Sequence, residues 1–362
     1  MKNYRLAAAF MVCLSAPSFA DNISGIEQIG DSNTAEVQQH GSLPTTNDSK
    51  IRQDGHGSDT KLSQGGFVAV ITSSIDQTGF QNSVEASQGA GESGAAALQI
   101  RQVGTDNRIG VAHGGTFGGV NASIDQNGDA NEVTLGQTGI FAGGSASIHQ
   151  SGSGNVTEVS QFGFLDNSNG LVLRQEGEQN KVRANQNGGG AELDQIGDRN
   201  EIVLLQASGA SGNSALIQQT GTEHKADTSQ FGSDGTNRLE IYQNGAEHRS
   251  TISQTQFNGS TSLNRAVIDQ AGEANSADVL ENNGATLSYI RQAGDANKAE
   301  VSQTTDGALA QSSIEQDGGN NRATVHQTPS YSGVASSTVV QSGTENSTLI
   351  EQTSVEATDN RM

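Results

Sequence analysis

A chain of 362 residues is long enough for two or three ordinary domains, yet only 32% of its residues are hydrophobic, 4% are aromatic and none is Trp. Typical domains carry roughly 45–50% apolar residues, so a conventional globular core is excluded unless the few apolar positions recur at a fixed period and share one narrow interior. The formal net charge of −21 excludes nucleic acid and anionic lipid headgroups as partners, because such a surface repels both.

The chain opens with a targeting segment. Lys2 and Arg5 form a positive n-region, Leu6 to Leu14 is a short apolar stretch, and Ser18-Phe19-Ala20 fits a small-x-small cleavage site. Cleavage after Ala20 is therefore expected, with residues 1–20 as a signal peptide, residues 21–352 as the folded repeat region and residues 353–362 as a polar tail. The only cysteine, Cys13, lies in the segment to be removed, so no disulfide or cysteine metal site is expected in the mature chain. Removing Lys2 and Arg5 leaves 17 basic against 40 acidic residues, a net −23. No later stretch is apolar enough to insert as a spanning helix, and no membrane insertion is expected.

From Asn22 onward the chain repeats. Anchor glutamines fall at 28, 53, 77, 102, 126, 150, 175, 195, 219, 243, 270, 292, 316 and 341, fourteen units spaced 20 to 27 residues apart. Two residues after the anchor there is always Gly, as at Gly30, Gly79, Gly128, Gly152 and Gly343; two residues before it there is always Ile, Leu or Val. Five residues after it there is Asn in eleven units, the others being Ser58, His224 and His248; eleven residues after it there is Gln in twelve, the others being His113 and Glu281.

Within each unit the apolar period is two. Ile124 and Gln126 share one parity before the break at Gly128-Asp129-Ala130-Asn131, and Asn131, Val133, Leu135 and Gln137 share one after it. Alternation with β-branched residues predicts strands, and Gly supplies the backbone freedom of a tight turn. Each unit therefore reads as strand, fixed turn, strand, variable turn, with strands of about six residues. The spacing from anchor to second Gln never varies and all insertions follow the second Gln, so the second turn is a surface loop and the first a structural corner. The fold class expected is an all-β solenoid, a cross-β stack of about fourteen strand-turn-strand repeats.

The inward amides have a physical reason in such a stack. A buried amide left unpaired costs about 1–3 kcal/mol, but one stacked on an identical amide donates to one neighbour and accepts from the other. The predicted ladder residues are Gln28, Asn33 and Gln39; Gln77, Asn82 and Gln88; Gln126, Asn131 and Gln137; Gln150, Asn155 and Gln161; and Gln341, Asn346 and Gln352. The outward residue before each anchor begins Glu27, Arg52, Asp76, Arg101, Asp125, His149, Arg174, Asp194. Signs mostly alternate, so vertical neighbours attract and register slips are penalised.

No phosphate loop, zinc spacing, nucleophile elbow or calcium-binding nonapeptide is present. His224 and His248 share one slot in adjacent units and are expected to stack, either as a weak metal site or as imidazoles standing in for amides. Acids such as Asp125, Asp194 and Asp269 lie in one outer column but whole rungs apart. No enzyme, cofactor or metal is expected.

These residues resemble the curlin repeat of bacterial curli subunits. The family's Gln-x4-Asn-x5-Gln core appears as Gln28…Asn33…Gln39, Gln77…Asn82…Gln88 and on through Gln341…Asn346…Gln352, together with the Gly two after the first Gln. The family's Ser six residues before the first Gln is absent, and that slot holds Asn22, Asn47, Asn169, Asn213, Asn237 and Asn264 or a small or apolar residue. The resemblance implies a secreted subunit that polymerises with itself into extracellular cross-β fibres of a biofilm matrix, with a related nucleator subunit and an outer-membrane secretion pore as partners. The competing reading is a stable monomeric solenoid acting as an adhesin or binding rod. Atypical capping units would mark that alternative, but the first and last units keep the full motif.

Overall fold

The computed structural model describes residues 21–42, 46–67, 70–90, 96–116, 119–140, 144–164, 169–208, 212–232, 236–256, 263–330 and 333–354. The expected signal segment with its cleavage site at Ala20, most of the variable loops, and residues 355–362 lie outside these. The described residues form strands and no helix. Each repeat contributes two strands, a first that carries the anchor Gln and a second that follows the corner. We refer to each such pair as a rung, numbered 1 to 14 from the anchor Gln28 to the anchor Gln341.

The chain divides into two compact units, 1–182 and 183–362, with the boundary inside the strand Lys181–Asn187. In the first unit, every described first strand pairs in parallel with the first strand of the next rung, from Asp21–Asp31 to Asn169–Glu178. The second strands from Thr34–Ser42 to Val156–Phe164 do the same in a separate sheet. The second unit repeats the arrangement, from Gly189–Asp198 and Glu201–Ser208 to Val334–Thr344 and Ser347–Ser354. Both units are β-solenoids. The last strand takes in Thr353 and Ser354, which the repeat spacing assigned to the tail.

Register follows the repeat: Gln126 sits opposite Gln150 and Gln102, and Val133 opposite Ile109 and Thr157. One parity is buried, as with Ala122, Ile124 and Gln126, and the other faces out. A slip by one residue would turn that set to solvent. The interior is thus a stack of Ile columns, including Ile75, Ile100, Ile124 and Ile148, each about 1% exposed.

The strands run 7 to 11 residues, longer than the six or so expected. Rung-to-rung pairing does not stop at the corner. Glu132 N donates to Asn155 O at 2.8 Å and Gly154 N to Asp129 O at 3.0 Å, and the same pair of bonds recurs at other corners. Because successive corners have equal length, their backbones nest, and the ladder continues round them.

Candidate functional site: the stacked amide columns

The corner explains why its glycine is invariant. All fourteen glycines two after the anchor have positive φ, between 101 and 147° except Gly294 at 97°. A Cβ on Gly128 would lie 2.0 Å from the Gly152 carbonyl oxygen, and one on Gly79 would lie 2.1 Å from that of Gly104. Both the conformation and the approach of the next rung therefore require glycine.

A second position in each corner, four after the anchor, is left-handed without being glycine in twelve of the fourteen rungs: Ser32, Gln81, Asp106, Ala130, Gln179, Arg199, Glu223, Glu247, Ala274, Ala296, Asn320 and Glu345 have φ near 53–62°. The sequence hid this, because these residues share no chemistry. Left-handed backbone costs an L-residue about 1–2 kcal/mol, partly offset in a glycine by greater freedom when unfolded. Ala130→Gly should therefore stabilise the chain by about 0.5–1 kcal/mol, and Ala130→Val should destabilise it by at least as much. Urea midpoints check both; a loss of stability in Ala130→Gly would show that the corner is not strained.

The buried anchors form the first column. In the first unit Nε2 of each Gln donates to Oε1 of the next, from Gln28 to Gln53 at 2.7 Å through Gln77, Gln102, Gln126 and Gln150 to Gln175 at 2.7 Å. In the second unit the same chain runs from Gln195 to Gln341 at 2.7–3.0 Å. The amide's other hydrogen reaches the facing sheet, as from Gln150 to Glu132 O at 3.2 Å. Each amide thus binds two rungs and two sheets.

The second glutamine column is built alike but is interrupted. Gln39 donates to Gln64 at 3.0 Å, Gln64 to Gln88 at 3.3 Å, and Gln137 to Gln161 at 2.6 Å. In the second unit it runs from Gln186 through Gln206 and Gln230 to Gln254 at 2.8–3.0 Å, and resumes from Gln303 through Gln327 to Gln352 at 2.7 Å. The interruptions are the two departures visible in the sequence, His113 and Glu281.

The asparagine column differs from the expected amide-on-amide ladder, because its main partners are backbone groups of the corner. Asn155 Oδ1 accepts the Asn180 N–H at 3.0 Å, and its Nδ2 donates to Ser151 O at 3.3 Å and Gly177 O at 2.9 Å. Amide-to-amide contacts accompany these, as from Asn131 Nδ2 to Asn107 Oδ1 at 3.2 Å. Its role is to satisfy corner groups that no strand partner reaches.

His224 and His248 make the same bonds with imidazoles. Their rings stack 5.0 Å apart at 8°. Nδ1 of His224 accepts the His248 N–H at 3.3 Å, which places the proton on Nε2 facing Thr220 O at 3.0 Å; His248 repeats this with Asn275 N and Asn244 O. Both nitrogens of each ring are engaged, which fits the amide-replacement reading and leaves no lone pair for a metal. Burial pushes His224 down to about 4 and lowers His248 too. Among the described residues no group of three or more His, Cys, Asp or Glu could hold a metal ion.

Sequence reasoning missed a fourth column. The asparagines six residues before the anchor stack at the other end of the first strand in the second unit: Asn237 Nδ2 donates to Asn213 Oδ1 at 3.2 Å, Asn264 Nδ2 to Asn237 Oδ1 at 3.1 Å, and Thr286 Oγ1 to Asn264 Oδ1 at 2.8 Å. Asn237 also caps Phe231 O at 3.1 Å. Their recurrence at anchor minus six was the available signal.

Outside, the alternating column pairs as its signs predict. Arg52 meets Glu27 at 3.9 Å and Asp76 at 3.4 Å, Arg101 meets Asp125 at 3.0 Å, and Arg291 meets Glu315 at 2.7 Å. These groups are well exposed, so the pairs enforce register and add little stability.

Among the described residues no helix is long and apolar enough to cross a membrane. No protein-family model matches the chain, and no curated protein matches it either.

Proposed function

We propose that the chain is a secreted structural subunit that stacks end to end on copies of itself, forming curli-like extracellular fibres of a biofilm matrix. The observation that carries this reading is the polarity of the amide columns at the first and last described rungs. In both glutamine columns, each glutamine-to-glutamine bond runs from the Nε2 of the lower-numbered rung to the Oε1 of the higher. The first rung therefore offers Gln28 and Gln39 Oε1 as acceptors with no preceding rung described, and the last offers the N–H side of Gln341 and Gln352. Asn346 Oδ1 is likewise placed to accept the N–H that Asn33 would bring. The two faces complement each other in the sense that two consecutive rungs do, and their outer strand edges, which pair with no further strand among the described residues, are templates for another copy.

Buried positions of inner rungs are half-exposed in these outer ones, including Ile26, Gln28, Val37, Ile350 and Gln352. Stacking would cover them. By the same resemblance to curlin repeats, a related nucleator subunit and an outer-membrane pore are the proposed partners in assembly and export, and no cofactor or catalytic step is involved.

The test is fibre formation by the purified chain lacking residues 1–20. The expected result is thioflavin-binding fibres with a meridional reflection near ~4.8 Å. A chain that stays monomeric for days at high concentration and neutral pH, without dye binding, overturns the proposal and favours the monomeric adhesin or binding rod.

A further inference from the structure

Glu281 occupies a glutamine slot of the second amide column, in the strand Ser276–Asn282 of rung 11. Its side chain is fully buried, at 0% exposure. It keeps half of the ladder: Gln254 Nε2 donates to Glu281 Oε2 at 2.8 Å, as each glutamine does to the next. The other half is missing. Oε1 stands where a glutamine would carry its donating Nε2, and it has no hydrogen-bond partner. The residue one rung on, Gln303, has no column donor for its Oε1 and takes instead the Ser288 hydroxyl at 3.1 Å. An ionised carboxylate can only accept, so it cannot pass the chain to Gln303. A protonated carboxyl is close to isosteric with the amide and can donate its O–H.

We propose that Glu281 is a proton-operated lock in the second column: the ladder is closed from Gln254 to Gln303 when its carboxyl is protonated and broken when it is ionised. The surroundings favour the closed form. Burial is the main cause that raises the Glu281 pKa above its ordinary 4.5; the bond from Gln254 opposes it in part, as do the nearby Ser288 and Thr286 hydroxyls, whose protons go to Gln303 and Asn264. Among the described residues no charged group faces the carboxyl. On the paired strands, Arg249, Lys298 and Glu300 alternate outward. So do Arg265, Asp269, Tyr289 and Arg291 on the facing sheet, and Asp278 on its own strand.

The sign follows from linkage. A carboxyl whose folded pKa lies above its unfolded one binds its proton more tightly in the folded state. Its contribution is intact below the unfolded value near 4.5 and is lost as pH rises toward the folded value. Through Glu281, acid therefore strengthens the column link across rungs 10 to 12 and alkali weakens it. This lock lies inside one chain and does not depend on fibre formation.

The experiment compares the full chain with Glu281→Gln, which supplies the missing donor, and with Glu273→Gln, an exposed control, by urea unfolding from pH 4 to pH 8. The folding constant of Glu281→Gln relative to the parent should be near one at pH 4 and rise about tenfold per pH unit until the folded pKa is passed; Glu273→Gln should track the parent. Hydrogen-exchange protection at Val279 and Val301, taken relative to the intrinsic exchange rate at each pH, should rise with acid in the parent and not in Glu281→Gln. Parallel pH profiles for Glu281→Gln and the parent would overturn the proposal. Because the comparison is internal to the chain, it reads the same in soluble or assembled protein, and its failure would leave the self-assembly reading standing.

Discussion

Gly343→Ala is expected to leave the chain folded and to stop it from accepting another copy, whereas Gly128→Ala is expected to disrupt folding itself. The two glycines hold the same corner slot with similar backbones, φ +101° and +119°. They differ in what lies above. A Cβ on Gly128 would sit 2.0 Å from the Gly152 oxygen and 2.9 Å from its carbon, and backbone atoms on both sides cannot give way. Strain and clash together should cost on the order of 3–5 kcal/mol. Among the described residues a Cβ on Gly343 would meet only Asn346 Nδ2, at 3.8 Å, so the cost there is the backbone strain of about 1–3 kcal/mol.

If a second copy docks as one rung docks on the next, its Gly30 carbonyl arrives where the Gly343 Cβ would stand. Elongation at that face should then fall about a hundredfold or more, since each 1.4 kcal/mol is tenfold. Gly343→Ala chains would still add through their unaltered first rung and would cap the end they joined, so small amounts should make wild-type growth one-ended. The measurement is seeded growth followed end by end, beside a melting curve of the soluble variant. Wild-type growth by a folded Gly343→Ala chain would sink the end-to-end proposal.

The corner also shows what a sequence makes legible. The solenoid could be read because its determinants are side chains at invariant offsets: Gly two after the anchor, Ile, Leu or Val two before it, and Gln eleven after. Each has one chemical reason, so identity repeats with geometry. The left-handed position four after the anchor has a fixed geometry and no fixed identity, running Ser32, Gln81, Asp106, Ala130 and Arg199. The neighbouring rungs impose that conformation through backbone bonds such as Ala130 N to Thr105 O at 2.9 Å, and backbone bonds leave no trace in residue type. The extension of strands round the corners was illegible for the same reason. So was the division near Val182, since the repeat runs through it without a change of motif. The asparagine column was read for its residues but not for its partners, because an amide that binds amides and one that binds carbonyls recur at the same spacing.

His113→Gln is expected to stabilise the chain by ~2 kcal/mol or more, and more at low pH than at high. His113 lies in register between Gln88 and Gln137. Gln88 Nε2, both ring nitrogens and Gln137 Oε1 are buried and lack protein partners. The imidazole, unlike those at His224 and His248, bridges neither neighbour. A glutamine would restore two amide links, each worth about 0.5–1.5 kcal/mol and each removing unsatisfied groups that cost ~1–3 kcal/mol.

The pH dependence has its own sign. Burial lowers His113 from 6.5 to about 4. The folded state therefore excludes a proton that the unfolded chain accepts, and stability is lost as pH falls from 6.5 toward 4. His224 is lowered to about 4 and His248 in the same direction, so the parent chain should weaken through this window by more than one histidine's share. The gain from His113→Gln should accordingly grow on acidification, while the gain from Glu281→Gln vanishes there. Urea midpoints of both variants from pH 4 to pH 8 should cross. A His113→Gln gain that ignores pH would mean the ring is not held neutral in the fold. No gain at pH 8 would mean that its neighbours' amides already have partners.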